Sequence, residues 1–190
     1  MTPKHTFGDL TRALARDVDP DALAALASGL GVSAIGLQRL GIGRAAGSAL
    51  AQIGVHGARS AFTFPMVDSL GRVIGVRIRL ASVKKLCVKG SRVGLFVPVG
   101  LDASGTVFLG EGESDTAALL TLGVEAIGRP GADQCRELIT EFALSRGIRN
   151  LVVVADRDPA GCNGARLLAQ HLAPTPVRVR IITPGAKDVR

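Results

Sequence analysis

Acids mark the places where two hydrophobic runs stop. Thr106-Val107-Phe108-Leu109 gives way to Gly110-Glu111-Gly112-Glu113-Ser114-Asp115, and Leu151-Val152-Val153-Val154-Ala155 gives way to Asp156-Arg157-Asp158-Pro159-Ala160-Gly161. Short apolar runs that end abruptly in acids and glycines read as strands buried in a parallel sheet. Residues just past the C-terminal ends of such strands line the ligand crevice. Two neighbouring strands would therefore aim Glu111, Asp115, Asp156 and Asp158 at one place. Crowded carboxylates repel unless a cation sits among them, and Mg²⁺ takes one or two carboxylates plus water and phosphate oxygens. Asp156 and Asp158, two apart, share a face if the backbone stays extended. Glu111, on a separate strand, is better placed to handle protons. Asp188 adds an acid beyond a later strand. Local roles are open to the same residues, with Asp115 as a helix cap and Asp156 and Asp158 as turn formers before Gly161.

Other chemistries lack their residues. No G-x-x-x-x-G-K-[ST] phosphate loop is present, and Gly110 to Asp115 lacks the third glycine of a dinucleotide fingerprint while placing acids where a pyrophosphate would be repelled. No serine sits in a nucleophile elbow, and His5, His56 and His171 have no ligand spacing. Cys87, Cys135 and Cys162 lie far apart with no CxxC pair, which argues against a zinc site or a disulfide scaffold and for reduced, partly buried thiols.

The elements that must position the acids follow from periodicity. From Thr106 the chain alternates β and α, with strands at Thr106–Leu109, Val124–Ile127, Asn150–Ala155 and Val177–Thr183. Helices fill the gaps: Asp115–Leu122, a segment capped by Asp133 and running to about Arg146, and Gly161–Leu172. Strands separated by helices of this length imply right-handed crossovers and a parallel sheet flanked by helices. The first 60 residues read as helical. Phe7, Leu10 and Leu14 recur at helical spacing; Asp19-Pro20 starts a second helix that Gly29 and Gly31 stop; Ser33 caps a third. Helix, turn, helix outlines a DNA-reading motif, but Gln38 and Arg39 alone are a thin set of readers, and packing is the better reading. Arg44 to Gln52, rich in Ala and Gly, reads as a short helix or a linker.

Between these regions lies a β-rich stretch. Ala61–Val67 is a strand that Pro65 places near an edge, and Val93–Pro98 is another short strand. Arg72 to Leu80 alternates, with Val76, Ile78 and Leu80 on one face and Arg77 and Arg79 displayed on the other. Ser69 to Leu101 holds no Asp or Glu, yet carries Arg72, Arg77, Arg79, Lys84, Lys85, Lys89 and Arg92, equal to the whole net charge of +7. A local basic surface of this kind suits a polyanion, although a charge run can also be only a solvated face. With 190 residues and 47% hydrophobic content the chain can bury a real core, built from aliphatic residues because aromatics are six Phe alone. No apolar run approaches the ~20 residues of a membrane span, and the first residues lack a secretory h-region, so a cytoplasmic protein is expected.

Glu111-Gly112-x-x-Asp115, followed 45 residues downstream by Asp156-x-Asp158-x-Ala160-Gly161, resembles the Toprim domain of bacterial-type primases, topoisomerases and several nucleases. Phe64-Pro65-Met66-x-Asp68-x-x-Gly71-Arg72-Val73-Ile74-Gly75-x-Arg77 is similar to the basic segment preceding Toprim in bacterial-type DNA primases. Lys89-Gly90-Ser91-Arg92-x-Gly94-Leu95-Phe96 resembles the same segment in phage and mobile-element primase–helicases. The resemblance, over about 62–190, implies a Toprim-like α/β sheet at 104–190. Before it would lie a small basic β-rich subdomain at 61–103 and a helical region at 1–60. It implies Glu111 as general acid/base, Asp156 and Asp158 as Mg²⁺ (or Mn²⁺) ligands, Asp188 as a further acid, and Gly112, Asp115 and Gly161 as supports. The basic residues named above would hold single-stranded DNA or NTPs.

The implied function is a nucleotidyltransferase of DNA replication: metal-dependent synthesis of oligonucleotide primers on single-stranded DNA. The alternatives are a Toprim-type nuclease using the same acids with water as nucleophile, and a non-catalytic nucleic-acid-binding module. The sequence lacks the zinc-binding module and the helicase phosphate loop that accompany this family. A helicase or zinc-binding partner, in trans or elsewhere in a longer chain, is therefore expected, and no membrane partner.

Overall fold

A computed structural model describes residues 6–16, 18–80 and 85–185. Three helices come first, α1 (Phe7–Arg16), α2 (Pro20–Leu30) and α3 (Ala34–Arg39). Their ends obey local rules: Asp19 accepts from the Asp21 N–H to cap α2, Gly31 stops it at φ 67°, and Ser33 accepts from the Gly36 N–H to cap α3.

The next segment departs from expectation. Gly43–Ala46 is a strand, β1, and only Ser48–Gln52 is helix, α4. A run of Gly and Ala carries no alternating pattern, so pairing decides its state. A Cβ at Gly43 would fall 2.6 Å from Thr63 Oγ1 and 2.8 Å from Leu14 Cβ, so only glycine lets β1 lie this close to its neighbours. It opens an antiparallel sheet of order β1-β2-β3-β4, continued by β2 (Ser60–Val67), β3 (Val73–Leu80) and β4 (Lys85–Cys87). β2 is therefore internal, not an edge strand as Pro65 suggested. The proline is tolerated because β1 pairs only with residues 60–63, leaving no acceptor opposite Pro65 on that side.

Residues 106–182 form the second sheet: β5 (Thr106–Glu111), α5 (Gly112–Thr121), β6 (Ala126–Arg129), α6 (Arg136–Ser145), β7 (Asn150–Val154), α7 (Pro159–Leu172) and β8 (Arg178–Ile182). All pairings are parallel, in the order β6-β5-β7-β8. Val107, Leu109, Ile127, Leu151 and Val153 pack with Ile139, Phe142 and Leu168 of α6 and α7 in one core cluster. In another, Ala117 and Leu119 of α5 meet Leu37, Phe64 and Phe96. α5 is buried from Gly112 to Leu120, its polar first turn included. Three helix starts differ from expectation, one of them α7, which begins at Pro159 rather than Gly161. α5 begins at Gly112 rather than Asp115, and α6 is preceded by Cys135 at φ 67° with no side-chain cap, so Asp133 does not cap it.

The expected strand at Val93–Pro98 is reduced to two bridges with a structural use. Leu95 pairs with Val67 of the first sheet, and Phe96 exchanges backbone hydrogen bonds of 2.9 and 2.8 Å with Gly128 of the second. These two residues stitch the basic sheet to the edge of the parallel one. Among the described residues no helix is long and apolar enough to cross a membrane.

Candidate active site

Glu111 is the last residue of β5, and Gly112, at φ 87°, turns the chain at once into α5. A side chain at that φ would be strained, which accounts for the glycine. β5 is flanked by β6 and β7, so Glu111 stands between the ends of two other strands. On the β6 side its register partner is Arg129, whose Nη2 lies 3.3 Å from Glu111 Oε1. Arg129 is wholly buried, and Glu111 is 12% exposed at the side chain.

On the β7 side stand Asp156, half-buried, and Asp158, exposed. Asp158 caps α7, its Oδ1 accepting the Gly161 N–H at 2.8 Å. A Cβ on Gly161 would come 2.7 Å from the Asp156 carbonyl oxygen, so glycine is what lets α7 close under the loop. Burial pushes the Glu111 carboxyl above its ordinary proton affinity. Arg129 pulls it back, and the charges of Asp156 and Asp158 push it further up. The three acids thus sense one another across two strand ends. Asp115 is buried in the first turn of α5, within the helix rather than capping it. Asp188 and Lys84 lie outside the described residues. Arg157 Nη1 donates to the Gly185 carbonyl at 2.7 Å, which draws the loop after β8 alongside the Asp156–Asp158 loop.

Among the described residues, no three carboxylate, imidazole or thiol groups form a preformed metal cage. The donor chemistry nevertheless fits a hard divalent cation of the Mg²⁺ type, which is held by one or two carboxylates and completed by water and phosphate oxygens. Two aspartates beside a glutamate whose proton affinity they raise form such a set, and a cation there relieves their repulsion.

The antiparallel sheet brings its cations to the same end of α5. Arg79 Nη1 lies 3.1 Å and Lys85 Nζ 3.3 Å from Oε1 of Glu113, which is wholly buried. Arg77 lies over the Phe96 ring, its guanidinium carbon 5.8 Å from the centroid. Burial alone would raise the Glu113 pKa, but Lys85, a backbone donor, Arg77 and Arg79 outweigh it and hold the carboxyl below its ordinary value. Arg79 is thus buried against an acid rather than displayed, and Arg77 is half-buried. Arg72, Lys85, Lys89 and Arg92 are the exposed members, with Arg72 Nε 2.7 Å from Asp68 Oδ2. Arg39 of the helix-turn-helix outline is paired with Glu125 at 2.9 Å, a packing role.

No protein-family model matches the chain, and no curated protein matches it in sequence. Solved structures do match. The DnaG catalytic core superimposes with a TM-score of 0.65 at 22% identity, over 97% of this chain and 74% of that one. The primase fragment of the bacteriophage T7 primase–helicase gives 0.67 at 20% identity, over 85% and 66%. The Aquifex aeolicus primase, with its zinc-binding and RNA polymerase domains, gives 0.65 at 16% identity, over 97% and 57%. The chain has the fold of a bacterial-type primase core. It spans between 57 and 74% of the length of these three structures.

Within that primase-core fold, Glu111 ends β5 and Asp156 and Asp158 follow the end of the neighbouring β7, with Gly112 and Gly161 shaping the backbone beside them. Two charged residues of the site had no role in the sequence reading. Glu113 binds the basic sheet from inside the E-G-E run, and its signal was an extra acid facing a stretch that has none. Arg129 ends β6 at the level of Glu111, and its signal was a cation closing the Ala126-Ile127-Gly128 run.

Proposed function

We propose that this chain is a primase-type catalytic core that joins NTPs into oligonucleotide primers on a single-stranded DNA template. The observation that carries the reading is the convergence of Glu111 with Asp156 and Asp158 at the strand ends, flanked by the Arg77–Arg79–Lys85 cluster, on a primase-core fold.

In this reading a 3′-hydroxyl attacks the α-phosphorus of the incoming nucleotide. The new O–P bond forms as the bond to the β-phosphate oxygen breaks and pyrophosphate leaves. Asp156 and Asp158, with Asp188, would hold Mg²⁺ or Mn²⁺, which supplies neutralisation of the developing phosphoryl charge. Glu111 takes up the hydroxyl proton. Its elevated proton affinity brings it closer to the operating pH, where a general base works best. Lys85, Lys89, Arg72 and Arg92 hold phosphates of template or triphosphate, which positions the strand without reading its sequence. Arg77 and Arg79 hold the inner wall through Glu113. A helicase or zinc-binding module would complete the assembly, and its site of action would be the cytoplasm.

Metal binding and synthesis are separable. Asp156→Ala/Asp158→Ala is expected to abolish Mn²⁺ binding in a titration. Glu111→Gln should keep that binding and lose primer synthesis by about 10²–10⁴-fold. Unchanged metal titration in the double variant contradicts the assignment of the aspartates.

A further inference from the structure

Arg129 has no role in the chemistry just described, yet among the described residues it is the largest fully buried side chain. It sits at the C-terminal end of β6, in register with Glu111, and its Nη2 lies 3.3 Å from Glu111 Oε1. Its Nε and Nη1 are buried with no hydrogen-bond partner. As a stabilising device this is poor. Burying a guanidinium costs several kcal/mol, and an apolar side chain of similar volume in such a place is often neutral or better. The side chain is wholly buried where β6 ends, and its backbone is held in register beside Glu111. Burial and strand register place the guanidinium at Glu111, and that carboxylate is the one whose proton affinity Asp156 and Asp158 raise.

We propose that Arg129 is the positioning residue of the site: a buried cation, locked in the sheet, that holds the Glu111 carboxylate at the strand end and offsets the negative charge of the acid cluster. The inference rests on the primase reading for the consequence to catalysis and for the metal assignment of Asp156 and Asp158, and on geometry for the hold of Arg129 on Glu111. Burial draws the proton affinity of the guanidinium down, while Glu111 first, and then Asp133 and Cys135, push it back up. A guanidinium stays charged in proteins regardless. The effect on the cluster is thus a fixed charge at short range, and removing it leaves the aspartates in a more negative field.

The test uses the full chain with Arg129→Met, which keeps volume and removes charge, and Arg129→Lys, which keeps charge and removes the planar fork. Thermal unfolding establishes that each variant is folded. Mn²⁺ affinity is then read by electron paramagnetic resonance, and primer synthesis by the kcat and KM for NTP. R129M is expected to bind Mn²⁺ about 3- to 10-fold more tightly, the effect of one unit charge removed from a partly buried cluster. Its kcat should fall by at least about 10-fold with KM within about 2-fold, as for a misplaced acid–base group. R129K should keep the parental Mn²⁺ affinity and lose kcat. A folded R129M with unchanged or weaker Mn²⁺ affinity, or with parental kcat, overturns the inference. If R129M does not fold, parental kcat in R129K overturns it. If the parent chain makes no primers, the primase reading fails by itself, and the Mn²⁺ measurement still decides the role of Arg129.

Discussion

Glu113 ties α5 to the antiparallel sheet at a single carboxylate. Its Oε1 takes both Arg79 and Lys85, and neither Glu113 nor Arg79 has much access to water. Removing one member of such a pair strands the other charge in the interior, at about 3–5 kcal/mol. Glu113→Ala is therefore expected to lower stability by about that amount in urea unfolding, with Glu113→Ala/Arg79→Met recovering a large part. The pH dependence follows from the same contacts. The folded-state pKa of Glu113 lies below its unfolded value. Its contribution is thus fully present above the unfolded value and is lost as pH falls through the folded one. Glu113→Gln should flatten the acid limb of a stability–pH curve below about pH 4.3. Glu111 has the opposite sign: its raised pKa means that stability is lost as pH rises from the unfolded value through the folded one, the cost first of burying the carboxyl and then of placing it near Asp156 and Asp158.

At the scale of elements, the stitch at Leu95 and Phe96 fixes how the basic sheet meets the acid site. Phe96 pairs with Gly128, and a Cβ on Gly128 would run into Thr116 Oγ1, 3.0 Å from Gly112 O and 3.2 Å from Phe96. Gly128→Ala should therefore cost about 1–3 kcal/mol, read by thermal unfolding, whereas Gly123→Ala, with nothing within 4 Å, should cost only the strain of its φ of 79°. The β/α half was legible because buried parallel strands show as apolar runs and their ends as acids and glycines: Asn150–Val154 is such a run, stopped by Asp156. β1 was not, since Gly43–Ala46 owes its form to Thr63 and Leu14 rather than to any pattern of its own. The internal place of β2 was hidden for the same reason, because Pro65 reads as an edge residue until the length of β1 is known. Glu113 and Arg129 were illegible as site residues because a buried charge makes sense only beside its partner. Those partners lie 34 residues away in β3 and 18 residues away in β5.

The whole molecule joins a basic sheet to an acidic strand-end cluster. Arg72, Lys85, Lys89 and Arg92 stay exposed on the basic side, while Arg79 is turned inward. Single-stranded DNA is expected to bind with an affinity that falls steeply with salt, at a slope near −0.7 per phosphate neutralised. Replacing Lys89 and Arg92 together by Ala should lower that slope by about 1.4, measured by fluorescence anisotropy across a salt series. Salt-insensitive binding would leave the basic sheet as ordinary surface.

The central claim is that these two halves build a site that polymerises nucleotides. The most direct measurement is incubation of the intact chain with Mg²⁺ or Mn²⁺, single-stranded DNA and labelled NTPs, resolved by length on a denaturing gel. The account predicts short labelled oligonucleotides that require the metal and vanish in Glu111→Gln. Shortened DNA with no labelled product would contradict it in favour of a nuclease, and unaltered DNA with no product would leave a module that binds nucleic acid without acting on it.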